Sequence, residues 1–188
     1  GLIIVQNIGS QVGLGGAAIH TLTLTDNDTA TIGFSAGTSS TLESDGTKNV
    51  DVTLTITATG TGTIGLGYNL TADLTTSGGT AAGSGTDYSL PTTPAVTFAA
   101  GTYATGTATQ DATLTIVDDR LVEGDETAEL GLAIVQNIGS QAILGGTTTH
   151  TLTLTDNDTA TLGFTLGTNT TLESAGTTNV GTTLTINA

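Results

Sequence analysis

Apolar and polar residues alternate along most of this chain. Ala30, Ile32 and Phe34 are separated by Thr and Gly, and Val50, Val52, Leu54, Ile56 and Ala58 by Asp51 and three Thr. Ile64, Leu66, Tyr68, Leu70, Ala72 and Leu74 make a third series, and Val96 with Phe98 a fourth. Ala112, Leu114 and Ile116 follow, then Ala128, Leu130, Leu132 and Ile134, then Leu152 and Leu154. A period of two buries one face of a strand and wets the other. No stretch keeps a helical period for three turns. Seven strands separated by Gly, Ser, Asn and Asp predict an all-β fold, a seven-strand antiparallel β-sandwich. Phe34, Tyr88 and Phe98 read as core.

The pattern repeats. Residues 1–58 align with 131–188 without a gap, and 42 of the 58 positions are identical, so the period is 130 residues. A repeat this long is a whole domain and not a solenoid coil. Residues 29–158 are therefore expected to form one complete domain. Residues 1–28 would be the C-terminal strands of a preceding repeat, and 159–188 the N-terminal strands of a following one. The chain opens at Gly1 without Met, so a longer, tandem parent is expected.

Composition narrows the partners. Thr supplies 46 of 188 residues, and 17 acids face two bases, Lys48 and Arg120, for a net charge of −15. Nucleic acid and anionic membrane are disfavoured, since both are held by Lys and Arg. No run of residues is long and apolar enough to span a bilayer. There is no Cys, so disulfides and thiolate metal sites are excluded. Without Cys, GxSxG, a Walker loop or paired His, no catalytic set is present, and the chain reads as non-enzymatic. His20 and His150 occupy one position in two copies and read as surface residues.

The acids gather at expected strand ends. Glu43 follows the first strand, Asp87 lies in "GSGTDYSL", "VDDRLVEGDE" spans Val117 to Glu126, and "DND" spans Asp156 to Asp158. In a seven-strand antiparallel sandwich the loops carrying Glu43, Asp118 to Glu126 and Asp156 to Asp158 share one pole. Asp87 joins them if its loop reaches the same end. Packed carboxylates repel unless protons or cations neutralise them. Ca²⁺, which takes six to eight oxygens at roughly 2.3–2.6 Å, suits such a set. The spacing is not that of an EF-hand, because "DNDTATLGFTLG" puts Gly167 where the twelfth-position Glu belongs.

"GTAAGSGTDYSL", then "VTFAAGTYATGTATQDATLTIVDDRLVEGDETAELGL", then "HTLTLTDND" together resemble a Calx-β domain over about residues 29–158. That resemblance implies an immunoglobulin-like seven-strand sandwich, in tandem. It implies calcium ligands at Glu43, Asp87, Asp118, Asp119, Glu123, Glu126, Asp156 and Asp158, with a backbone carbonyl from Leu121. Arg120 stands where the exchanger domain of the family has a third Asp, and Asn157 replaces the middle acid of the last triplet. Both imply fewer ions than the most acidic members hold. Thr59 to Gly85 is longer than is usual in the family and is expected to form an extended hairpin or loop.

The function expected is a structural module of an extracellular or cell-surface protein, bacterial in character. Tandem domains stiffened by calcium would form a stalk or fibre for adhesion or matrix assembly. The alternative is a self-assembling filament whose ends are completed by strands of neighbouring chains. Partners on either reading are neighbouring repeats or identical chains.

Overall fold

The computed structural model describes all residues except 6–8, 10 and 140. Fourteen strands occur among the described residues: β1 (Thr29–Phe34), β2 (Thr38–Leu42), β3 (Thr47–Thr57), β4 (Gly65–Leu66), β5 (Leu70–Gly79), β6 (Tyr88–Ser89), β7 (Val96–Phe98), β8 (Gly101–Thr102), β9 (Thr107–Ile116), β10 (Glu126–Gln136), β11 (Ala142–Leu144), β12 (Thr149–Thr155), β13 (Thr159–Phe164) and β14 (Thr182–Asn187). Two five-stranded sheets have the orders β11-β1-β3-β9-β6 and β2-β12-β10-β5-β7. The fold is all-β, as the period-2 pattern predicts.

Alternation drives the packing. β12 reads exposed and buried by turns, with His150, Leu152 and Leu154 inward. Ile32, Leu54, Leu114, Leu130 and Phe98 do the same from their own strands and meet in one buried cluster. Every member of that cluster lies between Ala30 and Leu154. Each large apolar side chain fully removed from water contributes about 1.5–3 kcal/mol. Thr fills the outward positions, where a branched side chain suits the pleat and stays hydrated.

The structure departs from the pattern in four places. First, both sheets have an edge strand in parallel register, β11 on β1 and β2 on β12. Neither "TSSTL" nor "AIL" has enough alternation to announce a strand; each exists because a neighbour offers a free edge. Second, the series from Ile64 to Leu74 is broken. Tyr68 is exposed, because Gly65 and Leu66 leave the main sheets to pair with β8, and β5 begins only at Leu70. Third, residues 59–85 are not one extended hairpin, since β5 sits between β10 and β7 in a main sheet. Fourth, His150 is buried. Its Nε2 is 2.8 Å from Ser39 Oγ and its Nδ1 is 2.8 Å from the Ala36 carbonyl, with the ring tilted over Phe34 at 5.5 Å. A carbonyl only accepts, so Nδ1 carries a proton.

The flanking copies look different. No described residue in 1–28 is in a strand, and 159–188 forms a two-stranded antiparallel hairpin, β13 with β14.

Candidate metal centre

Four stretches of chain deliver acids to one pole, and local hydrogen bonds fix each. At the end of β2 the chain makes a single 3-10 turn, Glu43–Asp45. Asp45 is used up inside this turn, accepting from Thr41 Oγ1 at 2.7 Å and from Leu42 N–H at 2.9 Å. Those two bonds hold its carboxyl below the ordinary value. Glu43 is left to turn inward and is buried. The Gly46 carbonyl accepts from Ile116 N–H at 2.9 Å, which brings the turn against the end of β9 and the acidic loop after it.

Asp87 is latched from both sides. Its N–H donates to the Ala82 carbonyl at 3.0 Å, its carbonyl accepts from Val117 N–H at 2.9 Å, and its Oδ2 accepts from Ala82 N–H. The same loop is tied to the start of β10 by Ala81 N–H to the Thr127 carbonyl and Thr127 N–H to Thr80 Oγ1, both 2.9 Å. This places Asp87 beside Glu126. One carboxylate oxygen from each of Asp87, Glu123 and Glu126 lies within 4.8 Å of the others.

Asp156 organises the third side. Its Oδ1 accepts from Asp158 N–H at 2.7 Å, and its Oδ2 accepts from Glu123 and Gly124 N–H at 2.8 and 2.7 Å. These bonds hold its carboxyl below the ordinary range. Gly124 can present its N–H in this way because it adopts φ +88°, a conformation open to glycine. That small nest for a carboxylate was not foreseen from sequence, although "VEGDE" carried its glycine. Asp119 caps its own loop, accepting from Leu121 N–H at 2.8 Å, while the Leu121 side chain is exposed. Asp118 is exposed, and its charge bears on Asp158.

The eight carboxylates share one electrostatic field. Burial, then the charges of Asp156, Asp119, Glu123 and Asp158, push Glu43 up to about 7. Partial loss of water around it, and then the charges of Asp119, Asp87 and Asp156, raise Glu123, although its side chain is exposed. Glu126 is raised by burial first and then by its hydrogen bond and charge contact with Asp87. Asp158 is raised by burial, then by Asp156, Asp118 and Asp119, and only Arg120 opposes this. Asp87, Glu123 and Glu126 are brought within reach of one ion, and the charges of Asp118, Asp119, Asp156 and Asp158 bear on Glu43, on Glu123 or on one another, with Arg120 opposing them at Asp158. Asp45 is spent on its own turn and Asp125 is exposed.

Three oxygens here are buried with no hydrogen-bond partner: Glu126 Oε2 and both oxygens of Asp158. A buried carboxylate oxygen without a donor is unfavourable. The donors are all hard oxygens, with no His or Cys among them. Such a set fits a hard divalent cation, for which several carboxylates and few fixed donors are appropriate.

The sequence matches the family model of the Calx-beta domain over residues 25–158. This chain belongs to the Calx-beta family, whose members are calcium-binding β-sandwich modules. Solved structures with a similar fold include CBD12 from CALX1.2, at 21% identity over 67% of this chain and 44% of that one, with a TM-score of 0.47. The apo-form Calx CBD1 domain matches at 20% identity over 69% of this chain and 98% of that one, TM-score 0.48. The calcium binding domain CBD12 of CALX1.1 matches at 21% identity over 66% and 44%, TM-score 0.44. The chain thus spans less than half the length of two of these neighbours. No curated protein matched the sequence.

Proposed function

We propose that residues 29–158 are a calcium-binding structural module, and that Glu43, Asp87, Asp118, Asp119, Glu123, Glu126, Asp156 and Asp158 hold the ion or ions. The Leu121 carbonyl completes the set. One observation carries this reading: three carboxylate oxygens, on Glu126 and Asp158, are buried at the acidic pole with nothing to donate to them. A cation supplies the missing partner and relieves the mutual repulsion of eight acids.

The finer role follows from where Asp156 and Asp158 stand. They occupy the three-residue link between β12, which ends at Thr155, and β13, which starts at Thr159. An ion held there ties the link to the acidic loop and stiffens the passage from one repeat to the next. We read the parent as a tandem stalk or fibre of an extracellular or cell-surface protein, bacterial in character, serving adhesion or matrix assembly.

The test is calcium titration of the full chain by calorimetry in chelator-treated buffer, with parallel melting curves. Saturable heat and a raised melting temperature, both lost on Asp118→Asn with Asp119→Asn, are expected. Absence of heat and of any shift at millimolar calcium would sink the reading.

A further inference from the structure

The edge of a β-sheet offers unpaired N–H and C=O groups, and this domain closes most of its own. On β2 the Ser40 carbonyl accepts from Lys48 Nζ at 2.9 Å, and Leu42 N–H donates to Asp45 Oδ2 at 2.9 Å. On β11 the Asn137 side chain takes both backbone groups of Ala142, donating to the carbonyl at 2.8 Å and accepting from the N–H at 3.0 Å. β7 is only three residues long. β9 is different. It pairs with β3 from Thr107 to Thr115, but on its other side β6 covers only Thr115 and Ile116.

β6 stops for a local reason. Even-numbered positions of β9 aim their backbone groups at the β3 side, as Ile116 N–H does at the Gly46 carbonyl. Odd-numbered positions aim at the β6 side, as Val117 N–H does at the Asp87 carbonyl. Continuing the pairing of Ser89 with Thr115 sets Pro91 opposite Thr113, and proline has no N–H to give. Beyond that block Thr107, Thr109 and Asp111 turn their backbone groups outward. Among the described residues the only bond to these groups is a 3.3 Å one from Thr105 Oγ1 to the Thr107 carbonyl. All three residues are exposed. So is Gln110, although it alternates with the buried Ala112 and Leu114 on the inward face. The sandwich is open beside this edge.

We infer that this edge is an interface between two copies of the chain, paired antiparallel about a two-fold axis through Thr109. Thr109 then faces the partner's Thr109, and Thr107 faces the partner's Asp111. The register follows from the chemistry. An axis through Asp111 sets acid against acid, which is unfavourable, and an axis through Gln110 needs Thr113, where Pro91 intervenes. The Asp111 carboxylate also accepts from Asn49 Nδ2 at 2.9 Å, which draws it toward β3 and off the edge. The flanking side chains are short hydroxyls, which give a foreign peptide no pocket to recognise. An identical edge, run in reverse, returns the same backbone pattern and keeps its acid opposite a Thr. The contact uses no residue of 1–28 or 159–188 and lies in the half of β9 away from the acidic loop, so it needs neither a free chain end nor calcium. It is small against the about 1,200–2,000 Å² of a stable interface, so one pair is weak. On the tandem reading above, side-by-side chains repeat it and gain by effective concentration.

The chain has no Cys, which gives a direct test on the full chain. Opposed hydrogen-bonded residues of an antiparallel pair have Cα atoms about 5.5 Å apart, within disulfide range. Thr109→Cys is expected to oxidise to a disulfide-linked dimer several-fold faster than Thr113→Cys on the same strand or Thr75→Cys on the other sheet, in chelator and in calcium alike. All these positions are exposed, so each variant should keep the wild-type melting temperature. On the Thr109→Cys background, Thr107→Lys should speed the reaction by facing the partner's Asp111, and Thr107→Asp should slow it. Thr75→Lys on that background makes the same change in net charge and should leave the rate alone. Equal oxidation rates at positions 109, 113 and 75 overturn the inference and leave the edge to a strand of another protein. A rate indifferent to the charge at 107 overturns it too.

Discussion

Residues 29–58 and 159–188 share 20 of 30 positions, yet the first run is core and the second is surface. Local propensity cannot account for this. The hairpin itself forms in both, with the same register: Thr29 opposite Thr57 and Phe34 opposite Val52 in one, Thr159 opposite Asn187 and Phe164 opposite Thr182 in the other. Adjacent strands find each other unaided. What differs is the strand that needs a distant partner. "TSSTL" is β2 against β12, while "TNTTL" at 168–172 is no strand at all. Strand formation here is set by who stands alongside, which is the usual meaning of a β propensity.

The largest contrast to break is that of core against bare hairpin. Leu54→Ala removes a fully buried side chain and should cost about 2–5 kcal/mol in denaturant unfolding of the dilute monomer. Leu184→Ala is the same change in the exposed copy and should stay within about 0.5 kcal/mol. Equal losses would mean that the hairpin is buried in solution.

The two Asp-Asn-Asp triplets give the next contrast. Both form the same local turn, with Asp28 N–H on Asp26 Oδ1 at 3.0 Å and Asp158 N–H on Asp156 Oδ1 at 2.7 Å. Only the second stands among other acids. The first lies at the opposite pole, where Asp28 accepts from Thr59 N–H. At calcium a hundred times its dissociation constant, each ion should add about 2.7 kcal/mol, or roughly 5–10 °C in melting temperature. Asp156→Asn should weaken calorimetric affinity on the order of tenfold or more, and Asp26→Asn should leave it unchanged. An equal effect of the two would move the site away from the acidic pole.

The histidines give a smaller one. His150→Ala strands the Ser39 hydroxyl and the Ala36 carbonyl and should cost about 1–3 kcal/mol. His20→Ala should be silent in the dilute monomer. Thermal melts of both variants decide this.

These contrasts also show what sequence can carry. Strands with three or more alternating apolar residues are legible, because burial imposes the period locally. β2 and β11 are not, since their reason lies across the sheet. Tyr68 continues an alternation on paper, but the glycines at 65 and 67 let the chain leave the main sheet before the pattern can act. His150 was readable, as it shares a period-2 face with Leu152 and Leu154; its polarity hid that. The acids could be placed at one pole by counting strand reversals. Which oxygens are left without a donor depends on the backbone of the loops: the Gly124 N–H goes to Asp156, and neither Asp158 oxygen has a partner.

The finest contrast is Glu43 against its counterpart Glu173, which is exposed in the second copy. Glu43 is pushed from 4.5 up to about 7 by burial and neighbouring acids. In the unfolded chain it titrates near the ordinary value, so between 4.5 and 7 the folded form holds a proton that the unfolded form lacks. That stabilises the folded state fully below 4.5, and the contribution is lost as pH rises through 7. Glu123, Glu126 and Asp158 are also raised and act in the same direction. Asp156 is lowered, so its contribution is present above its ordinary 3.8 and is lost only as pH falls through a still lower value, outside this window. In chelator the melting temperature should therefore fall by a few degrees from pH 5 to pH 8. Glu43→Gln should flatten the slope, and Glu173→Gln should leave it alone. Calcium takes the place of the protons, so a saturated protein should show little or none of this fall. An apo melting temperature that is level or rising across that range would mean that the acids at this pole do not feel one another.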